Sequence, residues 1–155
     1  MFKEFDVKQN ELLSKYSTVK IGGLAEYVIF PKNYLEIKKI IKICKKNNKK
    51  YYILGNGSNI LFDDSGFEGV LLNLKHFNKV KILNLQNNLD ENQKVFVGAG
   101  INLFALNQKL KSLGLSGLEW SYGIPATLGG LILMNGGSFE HEICEFIEKV
   151  FVFDG

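Results

Sequence analysis

Short apolar runs of strand length dominate the first half of this chain, interrupted by one segment with a different period. Over residues 34–47 the apolar side chains Leu35, Ile37, Ile40, Ile41, Ile43 and Cys44 recur every three or four positions with lysines between them, which predicts an amphipathic helix. Asn33 stands where the N-cap belongs, and Asn47-Asn48 ends the pattern. Residues 26–30 predict a strand stopped by Pro31; residues 51–54 predict a strand broken by Gly55; residues 70–73 predict another. Further on, residues 80–85 and 94–97 flank the polar stretch 86–93, which reads as a hairpin or a lobe connector. Asn102 is placed to cap a second helix over 103–113 that stops at Gly114. Residues 146–153 alternate and predict a strand, followed by Asp154-Gly155, a turn signal between strands. A chain that stops on such a turn is expected to be part of a longer protein.

Composition narrows the class. The chain has 155 residues, enough for one ordinary domain or two small lobes, and 46% hydrophobic with 23% charged residues is the profile of a soluble globular protein. No apolar run approaches the roughly 18 residues that span a bilayer, and the charged N-terminus carries no apolar signal region. Cys44 and Cys144 form neither a metal-binding spacing nor a disulfide framework; Cys44 reads as core. These features predict a cytoplasmic location with no membrane partner. The net charge is +3, yet every basic residue is a lysine. A nucleic-acid binder usually brings arginine for bidentate contacts, so the lysines of residues 38–50 read as the solvated face of the helix, with no nucleic-acid partner. Arginine-dependent catalysis cannot be completed by these residues alone.

Three glycine-rich loops carry the candidate chemistry. Leu54-Gly55-Asn56-Gly57-Ser58-Asn59-Ile60 follows directly on a predicted strand. Two glycines allow positive φ and close backbone approach, successive N–H groups form an anion nest, and Ser58 and Asn59 add donors. The loop lacks the Gly-Lys-Ser/Thr ending of a P-loop, and Ile60 occupies the third glycine position of the dinucleotide fingerprint. A tight turn with no ligand fits the same residues equally well. The second loop is Gly123-Ile124-Pro125-Ala126-Thr127-Leu128-Gly129-Gly130. Pro125 suits the first turn of a helix, and small residues there leave an exposed N-terminus, a ready anion site. Close helix packing asks for the same small residues. The third loop is Asn135-Gly136-Gly137-Ser138. Three such loops point to a large, phosphate-bearing ligand held mostly by backbone, which a dinucleotide fits better than a mononucleotide.

In this order and spacing the motifs resemble the UDP-N-acetylenolpyruvoylglucosamine reductase family over about residues 15–155. The matching segments are Ser17-Thr18-Val19-Lys20-Ile21-Gly22-Gly23, residues 54–61, Gly98-Ala99-Gly100, residues 114–119, residues 123–130 and residues 135–140. The resemblance implies an α+β FAD-binding fold of the PCMH/VAO type, two small α/β lobes over 1–75 and 76–155 with the flavin between them, the second lobe cut short and the substrate domain missing. It implies FAD as cofactor, with Leu54, Gly55, Asn56, Gly57, Ser58 and Asn59 at the diphosphate. Ile124, Pro125, Ala126, Thr127, Gly129 and Gly130, then Asn135, Gly136, Gly137 and Ser138, lie along the diphosphate and the flavin ring. It further implies NADPH as reductant, a UDP-N-acetylglucosamine enolpyruvate substrate, a product that serves peptidoglycan synthesis, and a monomer when intact. The serine, arginine and glutamate that act in the family lie beyond these residues, so no catalytic residue and no metal ligand is assigned. The sequence departs from the family at Ala126, where glycine is usual, and at Phe139 and Glu140, which replace tyrosine and glycine. The competing readings are another FAD-dependent oxidoreductase of the same fold and a non-catalytic nucleotide-binding module. An oxidase branch that attaches flavin through histidine or cysteine is disfavoured, because neither residue lies in the glycine loops.

The remaining polar residues read as ordinary. His76 and His141 are the only histidines, and His141 lies between Glu140 and Glu142, whose side chains diverge. Asp63-Asp64 reads as a solvated turn. Glu119 is positioned to accept from nearby backbone donors, and Trp120 reads as core.

Overall fold

In a computed structural model of the protein, the residues described are 1–83 and 92–153. The chain divides into two compact units, one made of Met1–His76 with Lys149–Gly155 and the other of Phe77–Glu148.

The first unit is built on a four-stranded sheet. Its strands are β1 (Val7–Leu12), β2 (Leu24–Ile29), β3 (Lys50–Leu54) and β4 (Phe67–Asn73), in the spatial order β1-β2-β4-β3. β4 runs parallel to both neighbours, whereas β1 is an antiparallel edge. Parallel pairing demands long crossovers. Helix α1 (Tyr34–Lys46) makes the one between β2 and β3, and residues 55–66 connect β3 to β4 without a helix. Asn33 caps α1 by accepting from Glu36 N–H at 3.0 Å, while the Glu36 carboxylate accepts from Lys32 N–H at 2.8 Å. The helix buries Ile37, Ile40, Ile41 and Cys44 and leaves its lysines outside. Burial pushes the Cys44 thiol pKa up. On the strands, Val28, Phe30 and Leu71 join Leu13, Phe62 and Leu54 in one core cluster. Strand alternation turns Ile29, Val70 and Leu72, all fully buried, to the opposite face.

The second unit has β5 (Val80–Ile82) paired antiparallel with β6 (Val95–Val97), then α2 (Leu103–Ser112), α3 (Leu128–Leu133), and a short hairpin of β7 (Gly137–Ser138) and β8 (His141–Glu142). Asn102 caps α2 by accepting from Phe104 N–H at 2.9 Å. Leu103, Leu106, Leu110, Leu128, Leu131 and Ile143 form its core, with Trp120 packed partly buried against it.

The strand expected over 146–153 does not form. A 3-10 turn occupies Ile143–Phe146, no described strand pairs with the residues after it, and Phe151 and Val152 are 72% and 83% exposed. Alternation supplies a side-chain pattern, but a strand also needs a ladder partner. Most of the polar stretch 86–93, and the pair Asp154-Gly155, fall outside the described residues. β1 carries no strand signal in its sequence, because Val-Lys-Gln-Asn-Glu-Leu is polar edge-strand composition without apolar alternation.

Replacing Asn33 by alanine removes the α1 cap and is expected to destabilise the protein by about 1 kcal/mol, read from the midpoint of urea unfolding.

Candidate functional site

In the first unit the glycine loop opens where β3 ends, at Leu54, whose side chain is buried in the core. The loop then doubles back against the segment that follows the 3-10 turn Leu13–Tyr16. Gly57 has φ +68°, and a Cβ there would fall on the Tyr16 carbonyl oxygen. Thr18 locks the approach: its N–H donates to Gly57 O at 3.1 Å, and its hydroxyl reaches the same oxygen at 3.4 Å. The close approach that Gly57 permits is therefore to the chain's own backbone, and it leaves the tip of the loop facing outward. Ser58 and Asn59 are exposed and, among the described residues, neither has a hydrogen-bond partner. The start of the same loop borders a cleft of about 210 Å³ lined by Lys15, Tyr16, Ser17, Thr18, Lys20, Gly55, Asn56 and Asn73. That lining contains two cations and no carboxylate, the composition an anionic ligand requires. The Ser17–Lys20 turn is a part of this site that reasoning from the glycine loop alone does not find. Its signal in the sequence was the Ser-Thr-Val-Lys-Ile-Gly-Gly motif.

A second cavity of the first unit, about 450 Å³, has the opposite character. It is lined by Asn10, Leu24, Glu26, Lys49, Ser65, Phe67 and Glu68, with Lys49 Nζ bonded to Glu26.

The second and third glycine loops lie in the second unit, and most of their glycines answer to packing. Helix α3 begins at Leu128, so Pro125 precedes it and does not occupy its first turn. The helix is capped by Thr127, and each first-turn N–H already has an acceptor. Leu128 donates to Ile101 O at 2.9 Å, Gly129 to Ala99 O at 2.8 Å, and Gly130 to Thr127 Oγ1 at 3.3 Å. The expectation of an open helix N-terminus is thus corrected: the carbonyls of Ala99 and Ile101 and the Thr127 cap engage its donors. A Cβ on Gly129 would sit 2.9 Å from both Ala99 Cβ and Ala99 O. Ala126, the departure from the family glycine, is buried in the core cluster beside partly buried Ile124.

Asn135, with φ +44°, donates from Nδ2 to Glu142 at 2.7 Å and accepts from Cys144 N–H at 3.3 Å, fastening the β7–β8 hairpin. A Cβ on Gly136 would press on Leu131, and one on Gly137 would fall on His141 O. Ser138 opens the two-residue turn through Phe139 and Glu140, both at positive φ (+50° and +65°), with Phe139 81% exposed. His141 Nδ1 pairs with Glu145 at 3.0 Å, one turn on, and this contact holds the Glu145 carboxyl below its usual pKa. Gly117 N–H donates to Glu119 at 2.7 Å, the role anticipated for that carboxylate. Among the described residues no three metal-ligating side chains converge, and no helix is long and apolar enough to cross a membrane.

Set against known proteins, residues 25–155 match the family described as FAD binding domain. The chain is 40% identical over 150 residues to a UDP-N-acetylenolpyruvoylglucosamine reductase of Clostridium novyi, covering 96% of this chain and 46% of that protein. It is 37% identical over 143 residues to UDP-N-acetylenolpyruvoylglucosamine reductase 1 of Bacillus cereus, covering 92% and 45%. Among solved structures it is similar to UDP-N-acetylenolpyruvylglucosamine reductase from Thermus caldophilus, with a TM-score of 0.68 and 33% identity over 90% of this chain and 46% of that one. A solvent-stable cholesterol oxidase matches with a TM-score of 0.64 at 20% identity, over 88% of this chain and 25% of the oxidase, which is a likeness of fold alone. The chain spans a little under half the length of the curated relatives it matches.

Gly57→Ala places a methyl into the Tyr16 carbonyl at positive φ and is expected to destabilise by at least about 2 kcal/mol. Gly123→Ala, with nothing within 4 Å of its Cβ, is expected to stay within about 0.5 kcal/mol of the parent. Thermal unfolding of both variants without added ligand reads the difference. Equal stabilities would mean that Gly57 is not held against Tyr16.

Proposed function

The chain belongs to the FAD binding domain family, and from that premise we propose that it is the cofactor-binding part of a UDP-N-acetylenolpyruvoylglucosamine reductase. Its fold is the α+β FAD-binding type of the PCMH class, and FAD is its cofactor. The observation that carries the finer reading is that the reductase relatives match in sequence as well as fold. The oxidase neighbour, at 20% identity, matches in fold only.

The residues of the first unit fit the cofactor. A dinucleotide presents a doubly charged diphosphate; the cleft has lysines and no carboxylate in its lining, and the same glycine loop carries unengaged donors at exposed Ser58 and Asn59. In this reading Leu54, Gly55, Asn56, Gly57, Ser58 and Asn59 hold the diphosphate. Ile124, Pro125, Ala126, Thr127, Gly129, Gly130, Asn135, Gly136, Gly137 and Ser138 are carried over from the family resemblance as further cofactor contacts. Because the α3 donors are already engaged, contacts from that loop fall to carbonyls, side chains and the exposed hairpin turn.

Bound flavin supplies hydride transfer, in the intact enzyme from NADPH to the enolpyruvyl group of a UDP-N-acetylglucosamine derivative, giving UDP-N-acetylmuramate for peptidoglycan. The residues of this chain orient and charge-neutralise the cofactor. Protonation of the substrate and its recognition fall to residues outside these 155. The protein works in the cytoplasm as a monomer, without nucleic acid or membrane partners.

The purified chain is expected to show flavin absorbance, or to give a saturable fluorescence change on titration with FAD. The Ser58→Ala/Asn59→Ala double variant should bind roughly tenfold more weakly or worse, with an unchanged melting temperature, since each exposed donor adds a net hydrogen bond only in the complex. The chain alone should not oxidise NADPH with the enolpyruvyl substrate. Absence of both flavin bands and a saturable response would remove the reading.

A further inference from the structure

The first-unit cleft poses a charge problem that the glycine loop does not solve. Backbone and amide dipoles orient a diphosphate, but its full charge needs a cation, and this sequence contains no arginine. Two lysines line the cleft. Lys15 is bonded at 3.3 Å to Glu11, a carboxylate it shares with Lys8 and the Tyr16 hydroxyl, so its ammonium is engaged by an anion with which a ligand would compete. The Lys20 side chain has no anionic or hydrogen-bonding partner among the described residues.

The backbone at Lys20 is equally telling. Its φ is +60°, a conformation that glycine adopts freely and lysine does not. The turn that imposes it is fastened at several points. Lys20 N–H donates to Ser17 O at 3.2 Å, and Val19 N–H donates to the hydroxyl of Ser17, which is only 2% exposed. Thr18 of the same turn is bonded to Gly57 O. Downstream, Gly23 N–H donates to Asp63 O at 3.0 Å and Leu13 N–H donates to Gly23 O at 2.8 Å. Strained backbone held by surrounding contacts is characteristic of ligand sites. The carboxylate-bearing cavity at Glu26 and Glu68 shows that a lining with lysines and no carboxylate is not general to this unit.

We propose that Lys20, set at the rim of the glycine-loop cleft by the strained Ser17–Lys20 turn, is the cation that binds the diphosphate of the dinucleotide. The proposal rests on the FAD reading for the identity of the ligand and on the cleft itself for its chemistry.

The test is titration calorimetry of the 155-residue chain with FAD and, separately, with inorganic pyrophosphate, at low and high salt, for the parent and for Lys20→Gln, Lys20→Arg and Lys20→Gly. Lys20→Gln should weaken both ligands roughly tenfold at low salt, with a shallower salt dependence than the parent. Lys20→Arg should restore binding. Lys20→Gly should lose affinity while gaining thermal stability, an opposition that a lysine with a purely structural role does not produce. Lys38→Gln, on the exposed face of α1, controls for net charge and should bind like the parent. Parent-like affinity and salt dependence in Lys20→Gln overturn the proposal and leave the FAD reading intact. Lys20-dependent binding of pyrophosphate without binding of FAD upholds the proposal and removes the FAD reading. Binding of neither ligand by the parent removes both.

Discussion

The candidate site depends on one backbone-to-backbone contact, that of Gly57 with Tyr16 and Ser17. Two chain segments nearly forty residues apart meet there without side chains between them, because Gly57 has no Cβ to collide with the Tyr16 carbonyl. Thr18 closes the contact with two hydrogen bonds to the same Gly57 oxygen. Everything that lines the cleft follows. The loop tip is turned outward, Ser17 is buried beneath it, and Lys20 is carried to the rim in a conformation it would not choose in isolation. The parallel order β2-β4-β3 makes this possible, since it forces the chain to leave β3 in a long connection with room to fold back over the sheet edge.

Glycine serves a second purpose in the other unit. There it brings helix α3 against the Gly98-Ala99-Gly100 segment, so that Leu128 and Gly129 donate to carbonyls of the chain and Gly130 to the Thr127 cap. An N-terminus used in this way is a structural joint, and any ligand contact from that loop must come from groups other than its amides. Among the exposed apolar side chains of the unit are Leu133, 83% exposed, and Phe139 of the hairpin turn, 81% exposed. Positive φ at both Phe139 and Glu140 is the geometry that a two-residue type I′ hairpin turn requires between the paired Ser138 and His141.

The glycine-rich loops illustrate why fold and function separate. The relatives at 33–40% identity are all UDP-N-acetylenolpyruvoylglucosamine reductases, while an oxidase at 20% identity shares the architecture. Backbone-mediated cradles tolerate wide sequence change because they need small residues and a sheet edge more than particular side chains. The specific chemistry then resides in charged groups added around the cradle, of which this chain holds few and no arginine.

Much of the local structure was legible in the sequence by itself. The three-and-four spacing from Leu35 to Cys44 with Asn33 ahead of it determined α1 and its cap. Asn102 determined the start of α2, and the short apolar runs before Gly55 and after Gly69 determined β3 and much of β4. The order of the glycine motifs was enough to point to FAD and to the family. Three things were decided only by tertiary structure. Polar β1 became a strand because β2 offered it an edge, whereas the alternating residues after Phe146 did not, because no described strand pairs with them. The first two α3 amides, open in a linear reading, are engaged by the carbonyls of Ile101 and Ala99. The cation at the cleft, invisible in a motif scan centred on glycine, stands beside the loop because a turn thirty-odd residues earlier is fastened to Gly57. Periodicity reports which face of an element is apolar; only the folded chain determines which donors remain free and which charges stand unpaired beside them.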